Sequence, residues 1–151
     1  MKQKMLLSVL ALVALSMVGT AVYAKTFTVK ELNSGPDGTF VFDPNFLHLQ
    51  PGDSVHFVAS DAGHDSMSYF VPPGAKNWKS EVSTDITVTF SKDGVYLYEC
   101  SPHHMFGMLG VIEVGKATHA DKEAAEKAAK GMEAQQIMNK GRLEKLMSDI
   151  K

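Results

Sequence analysis

The chain has 151 residues, with 15 Lys and Arg against 17 Asp and Glu, one cysteine and six histidines. This length corresponds to one ordinary domain. The nearly balanced charge lacks the excess of basic residues typical of nucleic-acid binding, so we predict no nucleic-acid partner.

The N-terminus has the pattern of a secretory signal. Lys2 and Lys4 precede an almost wholly apolar stretch over residues 5–18, and residues 22–24 supply small residues at the positions that a signal peptidase recognises. A membrane anchor is the alternative, but the apolar stretch is shorter than the ~20 residues of a spanning helix. We therefore predict a signal peptide over residues 1–24 and an exported mature chain without a membrane span.

Short apolar stretches alternate with turn clusters through the next ninety or so residues, as expected for a domain built from strands. Turn residues concentrate at 33–38, 51–53, 72–74 and 91–94. This spacing predicts an antiparallel β-sandwich over residues 25–116 rather than a βαβ fold. The candidate strands are 26–32, 40–42, 46–49, 54–58, 69–71 and 86–90, with two more on either side of residues 100–108.

The composition changes at Ala117 to residues that favour helices: Ala, Glu, Lys, Met and Gln. We expect Gly131 to divide this tail into two helices. An incomplete apolar stripe at helical spacing predicts that residues 117–151 form an extension packed on the sandwich, which we favour over a helix that binds a partner. The stripe consists of Ile137, Met138, Leu143, Leu146, Met147 and Ile150.

The lone cysteine lies in a loop of soft metal ligands. Cys100 cannot form an intramolecular disulfide, and an unpaired thiol is a liability in an oxidising compartment unless something such as a metal occupies it. His103 and Met108 follow it within the same loop. A thiolate, an imidazole and a thioether together suit both oxidation states of copper, and a trigonal site needs one more histidine, for which His64 is the best candidate.

The other histidines are weaker candidates. His104 adjoins His103, but Pro102 fixes the backbone just before His103, which favours His103 as the ligand. His48, His56 and His119 lie far from the cysteine loop in sequence, and we assign them no role.

Several motifs together resemble the pseudoazurin family of blue copper proteins. They are Gly63-His64, then Cys100-Ser101-Pro102-His103 with Met108, and a helical tail after Val114. A Cys-x2-His-x4-Met loop also fits plastocyanin, and the helical tail favours pseudoazurin. The resemblance implies an all-β fold, a cupredoxin-like Greek-key sandwich with two C-terminal α-helices, that carries one copper.

The resemblance also implies a function. His64, Cys100 and His103 would form the strong trigonal ligand set and Met108 the weak axial bond. The protein would be a monomeric one-electron carrier of the periplasm and not an enzyme. Its partners would be redox proteins such as copper nitrite reductase, which dock transiently near His103. The surface around His103 would include Pro102, Met105, Phe106 and Pro73.

Three departures from the usual family pattern affect tuning and docking. Asp65 replaces a common asparagine, so it cannot join the two loops by donating a hydrogen bond, and its negative charge should lower the reduction potential unless it is protonated or paired. Ala62 and Glu99 stand where lysines often serve docking, although Lys30, Lys76 and Lys79 remain. Phe40 replaces a methionine, and its ring either stacks on His103 or fills ordinary packing space.

Two other functional classes compete with the electron carrier. A cysteine hydrolase would use Cys100 with a histidine, but it would gain nothing from Met108. A copper chaperone or storage protein would use the additional soft ligands Met105 and His104. A structural zinc site is disfavoured because a thioether is a poor zinc ligand.

Overall fold

The computed structural model describes residues 23–151, so the predicted signal peptide lies outside the described residues except for its last two positions. Throughout the described part of the chain, no helix is both long enough and apolar enough to cross a membrane.

Two four-stranded sheets face each other and form a cupredoxin-like sandwich. The first has the strand order β2-β1-β4-β6 and the second the order β3-β8-β7-β5. Alternation places one side of β4 in the core, where Val55 and Phe57 are fully buried. The strands are β1 (Thr26–Gly35), β2 (Gly38–Asp43), β3 (Phe46–Leu49), β4 (Ser54–Val58), β5 (Met67–Phe70), β6 (Ile86–Thr89), β7 (Gly94–Glu99) and β8 (Leu109–Val114).

Both sheets are mixed, so the prediction of an antiparallel sandwich was wrong in this respect. β1 pairs in parallel with β4, and β3 pairs in parallel with β8. Parallel neighbours need a long connection. Here β2 and β3 supply it, because the chain leaves β1, crosses to the opposite sheet and returns as β4.

An aromatic core fills the space between the sheets and ends at the cysteine loop. The Phe42 and Phe57 rings meet the Tyr98 ring edge-on, with centroids 4.8 and 5.2 Å apart. Cys100 and Met108 belong to the same buried cluster. The loop that carries the candidate ligands therefore closes one end of the core.

Two helices, α1 (His119–Glu133) and α2 (Arg142–Met147), cover the outer face of the second sheet. A capping box between Thr118 and Asp121 begins α1. The predicted division at Gly131 was wrong: α1 continues through it, because its Ala125, Ala129 and Met132 side chains pack on the sheet.

The chain breaks later, before α2. Gly141 caps α2 with a φ of +83°, a conformation that suits glycine. Only part of the predicted stripe packs inward: Leu143 and Leu146 are buried, whereas Ile137 and Met138 lie exposed in the connection between the helices.

Candidate metal centre

Three predicted ligands from two loops converge at one end of the sandwich. His64 lies in the connection between β4 and β5, Cys100 follows β7, and His103 lies in a short 3-10 helix, Ser101–Phe106. The two Nδ1 atoms are 3.1 Å apart, and Cys100 Sγ lies 3.7 Å from His64 Nδ1 and 3.4 Å from His103 Nδ1. All three ligand atoms form one compact triangle.

The triangle has the size that a transition metal requires. Nitrogen and sulfur ligands bind such ions at about 2.0–2.3 Å. In a flat triangle the spacing between ligands is about 1.7 times that distance, so an ion at the centre of this triangle would lie about 2 Å from each corner. Two imidazoles and one thiolate in a trigonal arrangement are the donor set of a blue copper site, so the residues fit copper.

The His64 ring is oriented by a residue from a distant strand. Its Nε2–H donates to Asn33 Oδ1 over 3.0 Å. This bond places the proton on Nε2 and leaves the Nδ1 lone pair directed at the triangle. Sequence reasoning missed Asn33, which was assigned to a turn.

A second contact fixes the His64 backbone. Ser83 N–H donates to the His64 carbonyl over 2.7 Å, and Gly63 N–H donates to Ser83 Oγ over 2.8 Å. Ser83 lies in an exposed stretch to which sequence analysis assigned no role. Both sides of His64 are therefore held by contacts within the protein.

Asp65 joins the two ligand loops, although it cannot do so by donating. The fully buried carboxylate accepts from Ser101 N–H over 2.6 Å and also from the Ser101 hydroxyl. Asp65 accepts these hydrogen bonds, whereas an asparagine side chain would join the loops by donating one. The bonds hold the Cys100 loop against the His64 loop.

Met108 is fully buried at the end of the cysteine loop. Its carbonyl accepts from Cys100 N–H over 3.0 Å, and its own N–H donates to the His103 carbonyl over 3.3 Å. Gly107, with a φ of +69°, makes the sharp turn that returns the chain. The loop is therefore closed by its own backbone bonds around three predicted ligands.

His103 is half-buried and supported by aromatic rings. The Phe40 ring stacks on it with centroids 4.6 Å apart and planes 20° apart, and Phe40 also packs against the core cluster, so both predicted roles are present. The Phe106 ring in turn stacks on the Phe40 ring, with centroids 5.2 Å apart. His104 Nδ1–H donates to the Ser101 carbonyl instead, and His104 is not part of the triangle.

Burial decides the protonation of the ligands in the metal-free chain. It raises the pKa of the Cys100 thiol to about 12. It also lowers the pKa of His64 and of His103, and for His64 the neighbouring His103 contributes further. At neutral pH the imidazoles are therefore neutral, and a metal must displace the thiol proton to bind.

Glu99 is not the exposed docking charge that its position suggested. It is buried, and burial raises its pKa. Ala62 is exposed, as are Lys30, Lys76 and Lys79. Glu99 is therefore not available as a surface charge, and the exposed positive charges among these positions are the three lysines.

Comparisons with known proteins agree with the site geometry. Residues 29–115 match the family of copper binding proteins described as plastocyanin/azurin. The chain is 40% identical over 129 residues to pseudoazurin of Methylorubrum extorquens, covering 84% of this chain and 83% of that relative. It is 34% identical over 131 residues to pseudoazurin of Paracoccus pantotrophus, covering 85% and 88%.

Solved structures give the same family. The crystal structure of pseudoazurin from Methylobacterium extorquens AM1 superposes with a TM-score of 0.70 at 35% identity, covering 83% of this chain and 99% of that one. The Sinorhizobium pseudoazurin structure superposes with a TM-score of 0.68 at 35% identity, covering 83% and 95%. Proteins of this kind are copper-dependent electron carriers and not enzymes. This chain belongs to the pseudoazurin family of blue copper proteins, and its cofactor is copper.

Proposed function

We propose that His64, Cys100 and His103 hold one copper ion, that Met108 supplies the weak axial ligand, and that the protein carries single electrons in the periplasm. The convergence of three ligand atoms from two separate loops is the observation that supports this most strongly. When bound, the copper supplies a one-electron couple between Cu(I) and Cu(II).

The protein's contribution is to hold the ligands still. The bonds from Asn33 and Ser83 fix His64, and Asp65 ties its loop to Ser101. Because these contacts are made by protein groups alone, they hold the ligands in place when the charge of the centre changes. A small rearrangement favours rapid electron transfer.

The half-buried edge of His103 is the exit for the electron. Pro102 and Met105 are exposed beside it, and Met105 is 45% exposed. The connection between the helices extends this surface, since Ile137 N–H donates to the Met105 carbonyl over 2.7 Å and Ile137 is 60% exposed. A small apolar surface of this kind suits transient docking of a redox protein.

The ligand set is tested by loading the mature protein with Cu(II). Wild type should show the intense blue absorption and the narrow copper hyperfine splitting of a blue site, and His103→Ala should lose the blue band. His104→Ala is the matched control and should stay blue. An unchanged spectrum in His103→Ala would refute the assignment.

Two further measurements separate the alternative classes. Repeated reduction and oxidation without loss of metal identifies a carrier, whereas release of copper on reduction identifies a chaperone. Thiol-dependent turnover by metal-free protein would instead support a cysteine hydrolase.

We propose copper nitrite reductase or another respiratory redox enzyme as the partner. The exposed Lys30, Lys76 and Lys79 would steer an acidic partner. The rate of electron transfer to copper nitrite reductase should then fall as ionic strength rises, because salt screens the attraction. A rate that rises with salt would argue against a basic docking surface.

Location and oligomeric state follow from the same proposal. Cleavage of residues 1–24 would release a mature chain that starts at Lys25, and the mass of the protein recovered from a periplasmic extract measures this directly. Retention of the full mass would contradict the signal peptide. Light scattering should give the mass of a monomer.

A further inference from the structure

Glu31 and Tyr98 are polar side chains inside the apolar core beneath the metal centre. Both are fully buried. Neither oxygen of the Glu31 carboxyl nor the Tyr98 hydroxyl has a hydrogen-bond partner within the described residues. A buried polar group without a partner costs a large part of its hydration free energy, so such a group usually reflects a functional requirement.

Glu31 is close to both ligand loops. It lies on β1 two residues before Asn33, which holds His64, and its backbone carbonyl accepts from Asp61 N–H over 3.0 Å. Tyr98 lies on β7 two residues before Cys100, with its ring in the same core cluster. The charge of Glu31 acts on both Tyr98 and Cys100.

The packing around Tyr98 shows that the fold requires its side chain to be buried in this place. Tyr98 pairs with Gly110 on β8, and a Cβ at residue 110 would overlap the Tyr98 ring and hydroxyl. Phe42 and Phe57 contact the ring edge-on. The phenol is therefore confined, and burial raises its pKa, so it keeps its proton throughout.

The surroundings of Glu31 allow its carboxyl to change protonation near neutral pH. The charged groups that act on it are Asp65 in the His64 loop and Asp85 before β6, while Tyr98 on β7 and Cys100 after β7 are protonated neighbours that its charge acts on. Burial raises the pKa of Glu31 to about 7, with further contributions from Asp65 and Asp85. A change of one charge at the metal centre is then enough to shift the balance between its two forms.

We propose that Glu31 takes up one proton when an electron arrives at the metal centre, so that this protein carries a proton together with each electron. The donor loses one electron, the centre gains it, and the Glu31 carboxylate binds one proton from water to become a carboxylic acid. The added electron removes one positive charge from the centre, which weakens its stabilisation of the nearby carboxylate. The inference rests on the proposed copper site.

The sign of the pH dependence follows. A reduced centre, with Cu(I) and a thiolate, has the net charge of the metal-free thiol, so the pKa of Glu31 in the reduced protein should lie at about 7. The oxidised centre has one more positive charge, which places the pKa of Glu31 lower. Between the two values the reduction potential falls as pH rises, and outside them Glu31 contributes no slope.

The test measures the reduction potential of the copper-loaded mature protein from about pH 4 to about pH 9. Wild type should show a slope that ends at about pH 7 and approaches a tenfold change in equilibrium constant per pH unit, about 59 mV. Glu31→Gln should lose this slope. Glu81→Gln removes an exposed carboxylate and should keep it.

A Glu31→Gln variant with the wild-type slope would overturn the inference, as would a wild type with no slope. If Glu31→Gln does not fold, proton uptake is measured while wild type is reduced in weakly buffered solution. Uptake between the two pKa values of Glu31 supports the inference, and the absence of uptake refutes it. Carbon NMR of the glutamate carboxyls in the reduced and metal-free proteins gives a direct readout. A Glu31 midpoint near the ordinary 4.5 in both forms would contradict it.

These outcomes are distinct from failure of the proposed function. A blue, reversible protein whose potential does not depend on Glu31 would overturn the inference alone. A protein without the blue site would overturn the proposed ligand set.

Discussion

At the scale of single residues, Cys100 controls how the metal enters. Burial holds its thiol protonated, while both imidazoles are neutral at neutral pH. We therefore predict that Cu(II) binding at about pH 8 releases one proton per ion, measured with a pH indicator in weak buffer. Cys100→Ser should release none. Equal release by the two proteins would contradict a thiolate ligand.

The buried charge of Asp65 should lower the reduction potential. Its oxygens accept from Ser101, which neutralises part of the charge but adds no positive group. We predict that Asp65→Asn raises the potential, because a negative charge near the centre favours Cu(II). Voltammetry at about pH 8, above the pKa of Glu31, tests this, with Glu81→Gln as the exposed control. A potential that falls or stays constant in Asp65→Asn would refute the prediction.

Residue types point to the proposed ligands of the site more clearly than to the residues that hold those ligands in place. The thiol, imidazole and thioether residues are recognisable by type and spacing, so all four proposed ligands come from the sequence, and the structure brings His64, Cys100 and His103 into one triangle. Asn33 and Ser83 act through contacts with residues distant in the chain, and neither type is distinctive of a metal site. For Phe40 the sequence left two roles open, and the structure shows both, a stack on His103 and packing against the core.

At the scale of elements, the turn at Gly107 connects the ligand loop to the helical tail. Its φ is +69°, and a Cβ there would lie 2.9 Å from the Met138 carbonyl oxygen. Gly141 has a similar φ of +83° but nothing within 4 Å of such a Cβ. Both alanine variants incur the cost of a left-handed residue, about 1–2 kcal/mol.

We predict that Gly107→Ala lowers the free energy of unfolding more than Gly141→Ala does. Only the new Cβ at residue 107 would also come too close to a backbone atom, the Met138 carbonyl oxygen. Denaturant unfolding of the metal-free proteins measures both. Equal losses would show that the contact with the tail carries no strain and would contradict the prediction.

Local patterns predicted the strands but not their partners. The predicted strand 54–58 is β4, in which alternate residues Val55 and Phe57 are buried. The parallel pairing of β1 with β4 depends on the route of the chain between them, which period-two patterns do not contain. Glycine at 131 costs α1 about 1 kcal/mol, and packing of the helix on the sheet outweighs it.

At the scale of the whole molecule, Glu31 links stability to pH. Its pKa rises from 4.5 when exposed to about 7 in the fold, so the folded protein binds the proton more tightly. The stabilisation is complete below pH 4.5 and is lost as pH rises to about 7, a change of about 3 kcal/mol. Glu31 by itself therefore makes the metal-free protein less stable as pH rises across this range.

Glu31→Gln isolates this effect from the other titrating groups. We predict that the difference in unfolding free energy between wild type and Glu31→Gln shifts by about 3 kcal/mol over that range, in favour of the variant at high pH. Chemical denaturation at a series of pH values measures it. A difference that does not change with pH would show that Glu31 titrates normally.

The proposed electron carrier requires one copper ion shared by His64, Cys100, His103 and Met108. X-ray absorption at the copper edge of the loaded, oxidised protein tests this most directly. The structure predicts two nitrogens and one sulfur at about 2.0–2.3 Å from copper, with a longer and weaker contact to a second sulfur. A copper with no short bond to sulfur, surrounded only by nitrogen and oxygen, would contradict it.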